Sequence, residues 1–362
     1  MKKVTFAIGS LFGGGAERVV SVWASMLAEK GYKVSVLLYA RMENEYPISD
    51  KVNVVPIAES TKACNDMSII KRLRLFRKAL KKLKPDVVIS FLPVVQVYTR
   101  IACIGLRIPR IETVRISPWH AGMDGTKFSK LWRNCFETSK AVILQSEGQK
   151  PFFSKKVQAK SVVIPNPINE IYINNEKTTY NASSHKVVAA GRLSSQKNYK
   201  MMIDAISIVK EQYKDVGLSI YGVGELEEEL GAYIKKSGLE NSVKLMGRTN
   251  ELYKVYEESD VYVMSSDYEG LPNALAEAMA IGLPCVSTDC KTGPSDLIDN
   301  GQNGFLIPCG DVNALAEKIK TIFNMSANEQ EELGKKARAK IIGFCGEENS
   351  LKKLVELVES VK

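Results

Sequence analysis

The chain of 362 residues is too long for one ordinary hydrophobic core and predicts two domains of about 150–200 residues. Its composition, 45% apolar and 25% charged, is that of a soluble globular protein, and no stretch approaches the roughly 18 apolar residues of a membrane-spanning helix. The net charge of +9 is uneven: residues 1–168 carry 28 basic and 12 acidic side chains, against 22 and 29 in the remainder, so the first half is expected to meet a phosphate-bearing partner.

The cysteines and the first residues of the chain favour a protein of the reducing cytosol. The seven cysteines are odd in number, and none forms a C-x-x-C pair, so neither a disulfide framework nor a zinc site is expected. They lie at positions 64, 103, 135, 285, 290, 309 and 345. The residues after Met1 imitate the start of a signal peptide, but Gly9 and Ser10 interrupt the apolar run, which favours a buried first strand.

The first predicted unit is a strand at Val4–Gly9, a turn at Gly13–Gly15 and a helix at Ala16–Lys30. The turn lacks the third glycine of the dinucleotide-binding fingerprint and the Lys and Ser/Thr of a Walker A loop. Because glycine lets a ligand approach the backbone amides closely, Gly14 and Gly15 are candidate binding residues. A plain tight turn explains them equally well.

Five more apolar runs of strand length follow in the first half, with helical stretches between them. They are Val34–Tyr39, Val52–Ile57, Asp86–Phe91, Ile111–Val114 and Ala141–Gln145. This alternation predicts a parallel sheet covered by helices on both faces.

The most basic segment, Lys71–Lys84, has eight basic residues in fourteen and no acidic one. Helical spacing predicts a buried stripe of Ile69, Leu73, Phe76, Leu80 and Leu83. The candidate acceptor- and membrane-binding cations are Lys71, Arg72, Arg74, Arg77, Lys78, Lys81 and Lys82. A solvated helix face is the alternative, but such a face normally mixes signs, whereas unpaired cations gain about 1 kcal/mol each near an anionic bilayer.

We therefore expect peripheral attachment to the inner face of the cell membrane. Nucleic acid is the rival partner for this segment, but no recognised nucleic-acid-binding motif accompanies it.

The stretch Ile164–Ile168, with the sequence I-P-N-P-I, predicts a stiff connector that ends the first domain, and residues 169–185 read as a loop and linker. The second domain opens with a strand at Val187–Ala190, the loop G-R-L-S-S-Q-K-N and a helix to about Tyr213. In that loop Arg192 offers a planar fork and Lys197 a mobile point charge, a combination that suits a diphosphate. In isolation, such residues are most often ordinary surface charges.

The stretch Asp260–Leu283 is the most informative part of the sequence. It predicts a strand at Val261–Met264, a polar turn and a helix at Pro272–Ile281 that ends before a glycine. The unpaired amides at such a helix start can hold a phosphate or sugar oxygen. Glu269 in the turn and Glu277 in the helix would reach such a ligand from two sides, unless both are solvated charges.

The remaining predicted elements complete a second α/β domain. Strands are expected at Leu218–Tyr221, Val243–Gly247, Pro284–Thr288 and Phe305–Ile307, and helices from Asp311 to about Phe323 and at Glu347–Val361.

Several of these stretches together resemble the GT-B retaining glycosyltransferases, the nucleotide-sugar enzymes of family 4. The matching stretches are, in order, G-S-L-F-G-G-G-A-E-R, I-P-N-P, G-R-L-S-S-Q-K-N, Y-G-V-G-E-L and S-x-x-E-G-L-P-x-x-L-x-E-A-M-A-x-G-x-P, which contains the E-x7-E pair. The resemblance implies an α/β fold of two doubly wound Rossmann-like domains facing a central cleft. Residues 1–168 would bind the acceptor and 169–345 the nucleotide-sugar donor, and a last helix, 346–362, would cross back to the first domain.

The resemblance also implies roles for single residues. Arg192 and Lys197 would clamp the donor diphosphate, Glu269 would bind the sugar and Glu277 the ribose. The other expected donor contacts are Gly14, Gly15, Arg248, Asn273, Ala274 and Leu275. Neither a metal nor a cofactor is expected, because the chain has no D-x-D triplet and the cations would do the work of a divalent ion.

One position departs from the family pattern. Many relatives have a His soon after the fifth strand, where this chain has Arg115 in T-V-R-I-S-P-W-H. Arg cannot shuttle protons at neutral pH, so it would contribute hydrogen bonds or charge near the reacting sugar. His120 is the alternative through a loop shift, unless it is only a loop histidine beside Trp119.

These features predict a cytoplasmic, membrane-associated, retaining and metal-independent glycosyltransferase. It would move a sugar from a nucleotide diphosphate donor, expected to be a UDP-sugar, to a polyprenyl-diphosphate-linked glycan in cell-surface polysaccharide biosynthesis. A soluble acceptor and a non-catalytic nucleotide-sugar-binding scaffold are the alternatives. An NAD-linked oxidoreductase explains the sheets but lacks the fingerprint glycines.

Overall fold

The structure is a computed structural model that describes residues 1–120, 126–180 and 184–361. The chain divides into two compact units, one of Met1–Pro167 with Glu347–Lys362 and one of Ile168–Gly346. In the described parts of both units, we find no helix with the length and apolar character needed to cross a membrane.

The first unit is built on a seven-stranded parallel sheet in the order β3-β2-β1-β4-β5-β6-β7. Its strands are β1 (Lys3–Ile8), β2 (Lys33–Leu38), β3 (Asn53–Pro56), β4 (Val87–Ser90), β5 (Arg110–Thr113), β6 (Ala141–Leu144) and β7 (Ser161–Val163). The central strands are buried because helices cover both faces of the sheet. They are mainly apolar except β5, in which Arg110 and Glu112 form a buried ion pair. The edge strand β7 was not predicted.

The helices of this unit within residues 1–167 connect successive strands. They are α1 (Gly15–Glu29), α2 (Thr61–Asn65), α3 (Ile69–Leu83), α4 (Pro93–Ala102), α5 (Lys127–Thr138) and α6 (Lys155–Gln158), with a 3-10 segment at Glu147–Phe152. Helix α4 packs between α3 and α5.

The basic helix α3 has the predicted amphipathic character, with one error. Phe76 and Leu80 are fully buried and Leu73 and Leu83 are half-buried, but Ile69 is 60% exposed. The apolar cluster beneath α3 is centred on Phe76 and Leu80 and does not extend to the first turn, so the predicted stripe was too long.

The second unit is built on a six-stranded parallel sheet in the order β10-β9-β8-β11-β12-β13. Its strands are β8 (Lys186–Ala190), β9 (Gly217–Tyr221), β10 (Val243–Gly247), β11 (Val261–Met264), β12 (Cys285–Thr288) and β13 (Phe305–Ile307). Its helices are α7 (Glu170–Asn174), α8 (Tyr199–Gln212), α9 (Glu227–Lys236), α10 (Leu252–Glu258), α11 (Asn273–Ile281), α12 (Pro294–Leu297), α13 (Val312–Phe323) and α14 (Ala327–Cys345), with a 3-10 turn at Ser195–Lys197. Helix α7 lies in the stretch predicted to be a linker, and α14 was not predicted.

The last helix, α15 (Glu347–Ser360), belongs to the first unit, where it packs against α1. The indole nitrogen of Trp23 donates a 2.9 Å hydrogen bond to Ser350 Oγ. The Lys2 ammonium donates to the backbone carbonyls of Val358 and Val361 at 2.8 and 2.7 Å. The two chain segments of the first unit are thus joined by buried packing and by hydrogen bonds.

The strand order confirms the predicted class of two Rossmann-like α/β domains. In each sheet the order reverses beside one central strand, between β1 and β4 in the first unit and between β8 and β11 in the second. Ligands of such sheets bind outside the carboxyl ends of the strands at this reversal. The loops after β8 and β11 are therefore the first place to look for a site.

Candidate functional site

The carboxylate of Glu269 lies in the loop between β11 and α11 and is held by two donors. Lys197 Nζ is 2.6 Å from Glu269 Oε1, and the Ser266 hydroxyl donates to the same oxygen at 2.7 Å. The side chains of Lys197 and Glu269 are only 18% and 8% exposed, so the ion pair is largely shielded from water. The two charged residues predicted from separate motifs therefore meet in one place.

Several hydrogen bonds join the loop after β8 to the loop after β11. Ser265 Oγ donates to the carbonyl of Lys197 at 2.8 Å. The Asp267 amide donates to the Gln196 carbonyl at 2.9 Å, and the Gln196 side-chain amide donates to the Tyr268 carbonyl at 2.7 Å. The position of Lys197 relative to Glu269 is thus fixed by the backbone of both loops.

The last residue of β12 and the loop after this strand also support the Glu269 loop. Thr292 Oγ1 donates to the Glu269 carbonyl at 2.5 Å, and Thr288 Oγ1 donates to the Ser266 carbonyl at 2.6 Å. Sequence reasoning missed Ser266, Thr288 and Thr292 as supporting residues. The spacing of three residues between Ser266 and Glu269 could have indicated their contact. The two threonines lie about twenty residues further along the chain, and no sequence pattern indicates their contacts.

Glycines allow the loops after β8 and β9 to approach one another. Gly222 has φ +145°, and a β-carbon there would overlap the carbonyl oxygen of Gly191. A β-carbon on Gly224 would overlap the backbone of Leu193. The glycines of Y-G-V-G therefore serve close packing of two loop backbones beside Arg192.

Helix α11 begins at Asn273, after Pro272 at the N-cap, and no side chain caps its start. The first amides of an α-helix lack acceptors within the helix and carry the positive end of its dipole. Asn273 and Ala274 are half-buried and Leu275 is buried. Glu277, in the second turn, is only 6% exposed, so it is not the solvated surface charge that was the alternative.

Two predicted cations are exposed on the loops of this unit. Arg192 follows β8, and Arg248 follows β10, whose last residue accepts a 2.7 Å hydrogen bond from the Gly222 amide. In the described part of the chain, neither guanidinium makes a hydrogen bond or ion pair. Both are therefore available to a ligand.

Burial raises the pKa of the Tyr199 phenol, and the nearby charge of Glu269 adds to the effect. Tyr199 begins α8 directly behind the Lys197 loop. It therefore stays neutral at physiological pH and adds no charge to the site.

In the first unit, the carboxylate of Glu17 folds back over the start of α1. A β-carbon on Gly14, the N-cap residue, would overlap this carboxylate, and Gly13 has φ +83°. Because this carboxylate is the end of a flexible side chain that can move aside, the contact alone does not require glycine at position 14. The donor contacts predicted for Gly14 and Gly15 stay a prediction.

Arg115 is buried in the first unit. Its guanidinium lies 4.5 Å from the ring centre of Trp23 and 5.5 Å from that of Phe91, and Nη1 donates to Asn166 Oδ1 at 2.8 Å. Nε and Nη2 are buried and have no hydrogen-bond partner among the residues that the structure describes. Burial lowers the pKa of the Arg115 guanidinium to about 9, which leaves it protonated at neutral pH.

The hydrogen bond to Asn166 joins Arg115 to the I-P-N-P connector. The catalytic role predicted for Arg115 stays a prediction. His120 is exposed, with Nδ1 3.2 Å from Ser117 Oγ. Which of the two takes the place of the family's His also stays a prediction.

The predicted acceptor-binding cations of α3 fall into two groups. Lys71, Arg74, Lys78, Lys81 and Lys82 are exposed, whereas Arg72 and Arg77 are half-buried. The Arg77 guanidinium donates to the carbonyls of Ala102 and Ile104 at 2.7 and 2.6 Å. Arg77 therefore anchors α3 to the end of α4, and the exposed five form the basic surface.

Two doubly wound units with charged loops at the strand reversal of the second define a glycosyltransferase of the GT-B class. The family model "Glycosyl transferases group 1" matches residues 173–340, and "Glycosyltransferase Family 4" matches residues 13–170. The chain belongs to the family 4 glycosyltransferases.

A curated relative agrees with this assignment, and solved structures agree with the fold. The chain is 30% identical over 95% of both chains to a Campylobacter jejuni enzyme named GalNAc-alpha-(1->4)-GalNAc-alpha-(1->3)-diNAcBac-PP-undecaprenol alpha-1,4-N-acetyl-D-galactosaminyltransferase. Anabaena HepE in complex with UDP and glucose has a TM-score of 0.81 at 20% identity, with 99% of this chain and 100% of that chain covered. A mutant of S. aureus TarM in complex with Fondaparinux, alpha-GlcNAc-glycerol and UDP has a TM-score of 0.81 at 17% identity, and the match covers 99% of this chain and 100% of that chain.

Proposed function

We propose that this protein transfers a sugar, with retention at the anomeric carbon and without a metal ion, from a nucleotide diphosphate donor to a lipid-linked glycan. The donor is a UDP-sugar, and the reaction belongs to cell-surface polysaccharide biosynthesis on the inner face of the cell membrane. The observation that carries this proposal is the shielded pair of Lys197 and Glu269 beside the uncapped start of α11.

The donor diphosphate would bind where these groups meet. Arg192 and the Lys197 ammonium would neutralise its charge, and the amides of Asn273 to Leu275 would donate to its oxygens. Charge develops on the leaving diphosphate in the transition state, and groups fixed beforehand stabilise it without reorganising. The hydrogen bonds between the loops after β8 and β11 provide this fixed arrangement.

The two carboxylates would bind hydroxyl groups of the donor. Glu269 would accept hydrogen bonds from the transferred sugar, while Glu277 would accept them from the ribose, with Arg248 close to the base. Neither needs to act as a nucleophile, because the departing phosphate oxygen can take the acceptor's proton in a front-face attack. Such a reaction forms the new glycosidic bond on the face from which the diphosphate leaves, which retains the configuration.

The exposed cations of α3 support an acceptor that carries phosphate and lies at a membrane. Each cation near an anionic leaflet is worth about 1 kcal/mol. Because α3 to α5 each run back toward the amino ends of the strands, their first turns lie toward the carboxyl edge of the sheet. Exposed apolar side chains occur in or near these first turns, namely Ile69, Ile70, Val94, Phe128 and Leu131.

Apolar side chains flanked by lysines are typical of surfaces that enter the interface of a bilayer. The Campylobacter relative is named for an acceptor on PP-undecaprenol, and an Erwinia amylovora relative, 29% identical over 80% of this chain, is an amylovoran biosynthesis glycosyltransferase. The Campylobacter name supports a lipid-linked acceptor over a soluble one, and the Erwinia name supports a role in polysaccharide biosynthesis.

A panel of UDP-sugars and GDP-sugars tests the donor. We expect one UDP-sugar to raise the melting temperature by several degrees, because a ligand that binds only the folded state stabilises it by mass action. Release of UDP from that compound measures turnover. Stabilisation by GDP-sugars alone would overturn the choice of UDP, and binding without any turnover on addition of lipid-linked acceptors would favour the non-catalytic scaffold.

Flotation with phosphatidylglycerol vesicles tests the membrane surface. The wild-type protein is expected to float with the vesicles at low salt and less at high salt, because exposed charges are screened. Lys78→Glu/Lys81→Glu should weaken binding by about tenfold or more. Lys335→Glu/Lys336→Glu, an equal charge change on exposed residues of α14, should not. Equal flotation of both variants would refute the proposal that the exposed cations of α3 bind the membrane.

A further inference from the structure

A cavity of about 670 Å³ lies at the carboxyl ends of β1, β2 and β3 in the first unit. Three loops line it: Phe12 comes from the glycine turn after β1, Arg41 to Asn44 follow β2, and Glu59 to Lys62 follow β3. Its volume is within the range of small-molecule sites, about 300–1,000 Å³. Of its lining residues only Phe12 belongs to a motif of the resemblance, and the residues that follow β2 and β3 belong to none.

The walls of this cavity are fixed by hydrogen bonds between the three loops. The Arg41 amide donates to the Ala58 carbonyl at 3.3 Å, and the Tyr46 amide to the Leu11 carbonyl at 2.8 Å. Glu45, itself largely buried, pairs with Arg41 Nε at 3.2 Å and accepts from the Met42 amide at 2.9 Å. The Arg41 side chain is thus held at Nε, and the side chain as a whole is 45% exposed. A ligand would therefore meet a shape formed in advance.

The lining has the chemistry of a site for an uncharged, hydroxyl-rich ligand. It contains two cations, Arg41 and Lys62, and two carboxylates, Glu43 and Glu59, with the Asn44 amide beside them. Such a mixture offers both donors and acceptors to hydroxyl groups. Phe12 and Met42 add apolar surface for the carbon face of a ring. The two cations and two carboxylates leave the lining without net charge, so it does not attract a phosphate group as the uncompensated cations of α3 would.

The cavity also lies between two parts of the first unit that the proposed function uses. On one side, Phe12 directly precedes the glycine turn at the start of α1. On the other, Thr61 is the first residue of α2, and α2 ends at Asn65, four residues before α3 begins. Helix α2 is only about 8 Å long at 1.5 Å per residue. A glycan whose diphosphate rests on the first turn of α3 could therefore place a sugar in this cavity.

We propose that this cavity is a subsite for an uncharged sugar unit of the acceptor glycan, with Arg41 and Glu59 as hydrogen-bonding residues. This inference rests on the proposed function, since it takes the acceptor to be a glycan. It goes further by assigning the recognition of that glycan to the loops after β2 and β3.

An array of defined mono- to tetrasaccharides, probed with the full-length protein, tests the subsite. The wild-type protein is expected to retain a subset of the glycans, and Arg41→Ala and Glu59→Gln to bind that subset about ten- to a hundredfold more weakly, since each loses charged hydrogen bonds. Lys51→Ala, which removes a cation of the first unit that pairs with Glu29 away from this cavity, is the matched control. It should bind as the wild type does.

Donor measurements separate failure of the subsite from failure of the proposed function. Both variants should keep the stabilisation by the donor and the release of UDP without acceptor. Glu59→Gln should also keep the wild-type melting temperature, whereas Arg41→Ala should lower it slightly, because it leaves the Glu45 carboxylate without its ion-pair partner. Glycan binding that is absent in the wild type, or unchanged in both variants, would overturn the subsite even if the donor reaction persists. Loss of binding together with a lowered melting temperature in both variants would also overturn it. Absence of any donor binding or turnover in the wild type would instead refute the proposed function.

Discussion

Replacement of Lys197 by alanine is expected to lower the rate of UDP release from the UDP-sugar donor by about a hundred- to a thousandfold. This is the usual effect of removing one fixed group that stabilises developing charge. The ammonium lies 2.6 Å from Glu269 in a largely shielded position, where solvent ions screen its charge less than they screen an exposed one. The rate is measured at saturating donor with a coupled assay for UDP.

Lys200→Ala is the control for this prediction. Lys200 lies three residues further along, and its ammonium pairs with Glu229 on the exposed surface. Exposed pairs contribute about 0–1 kcal/mol, so this variant should keep both its stability and its rate. A Lys197→Ala protein that is folded and as fast as the wild type would rule out the proposed role of the ammonium.

Replacement of Gly222 by alanine is expected to destabilise the second unit by about 3 kcal/mol or more, and to lower its melting temperature by roughly 6–12 °C. Gly222 has φ +145°, which side chains rarely adopt, and the added β-carbon would overlap the Gly191 carbonyl oxygen. The two loop backbones must then separate, which also displaces Arg192. Differential scanning calorimetry measures the shift.

Gly231→Ala is the matched control for Gly222→Ala. Gly231 lies inside α9, and a β-carbon there would meet no atom within 4 Å. The same substitution should therefore stabilise the protein by about 0.5–1 kcal/mol through helix propensity. A melting temperature that is equal in both variants would mean that the loops after β8 and β9 do not pack as described.

The sheets could be predicted largely from the sequence, because buried parallel strands appear as short continuous apolar runs. Val261–Met264 was predicted with the bounds of β11. The strand β7 was missed because it is short, lies at the edge of its sheet and is only half-buried. Helix α14 was missed because its buried face includes Gln330 and Gly334 and so is not a continuous stripe of large apolar residues. Ion pairs such as Lys335 with Glu331 run along its exposed face.

The site could be predicted in part. The motifs identified Lys197 and Glu269 separately, but their contact joins residues 72 positions apart and depends on the folded sheet. Thr292 was missed for the same reason. For Arg115 a motif position specified the residue but not the direction of its side chain, which in the structure stacks on Trp23.

Calorimetric titration of UDP and of uridine into the wild-type and Lys197→Ala proteins tests most directly whether a diphosphate is held by Arg192, Lys197 and the start of α11. We predict that the wild type binds UDP at least a hundredfold more tightly than uridine, and that the Lys197→Ala variant loses about tenfold or more of this difference, since charged hydrogen bonds each contribute about 1.5–3 kcal/mol. Equal affinity of the wild type for UDP and uridine would contradict the account, and so would a UDP preference that the variant keeps in full.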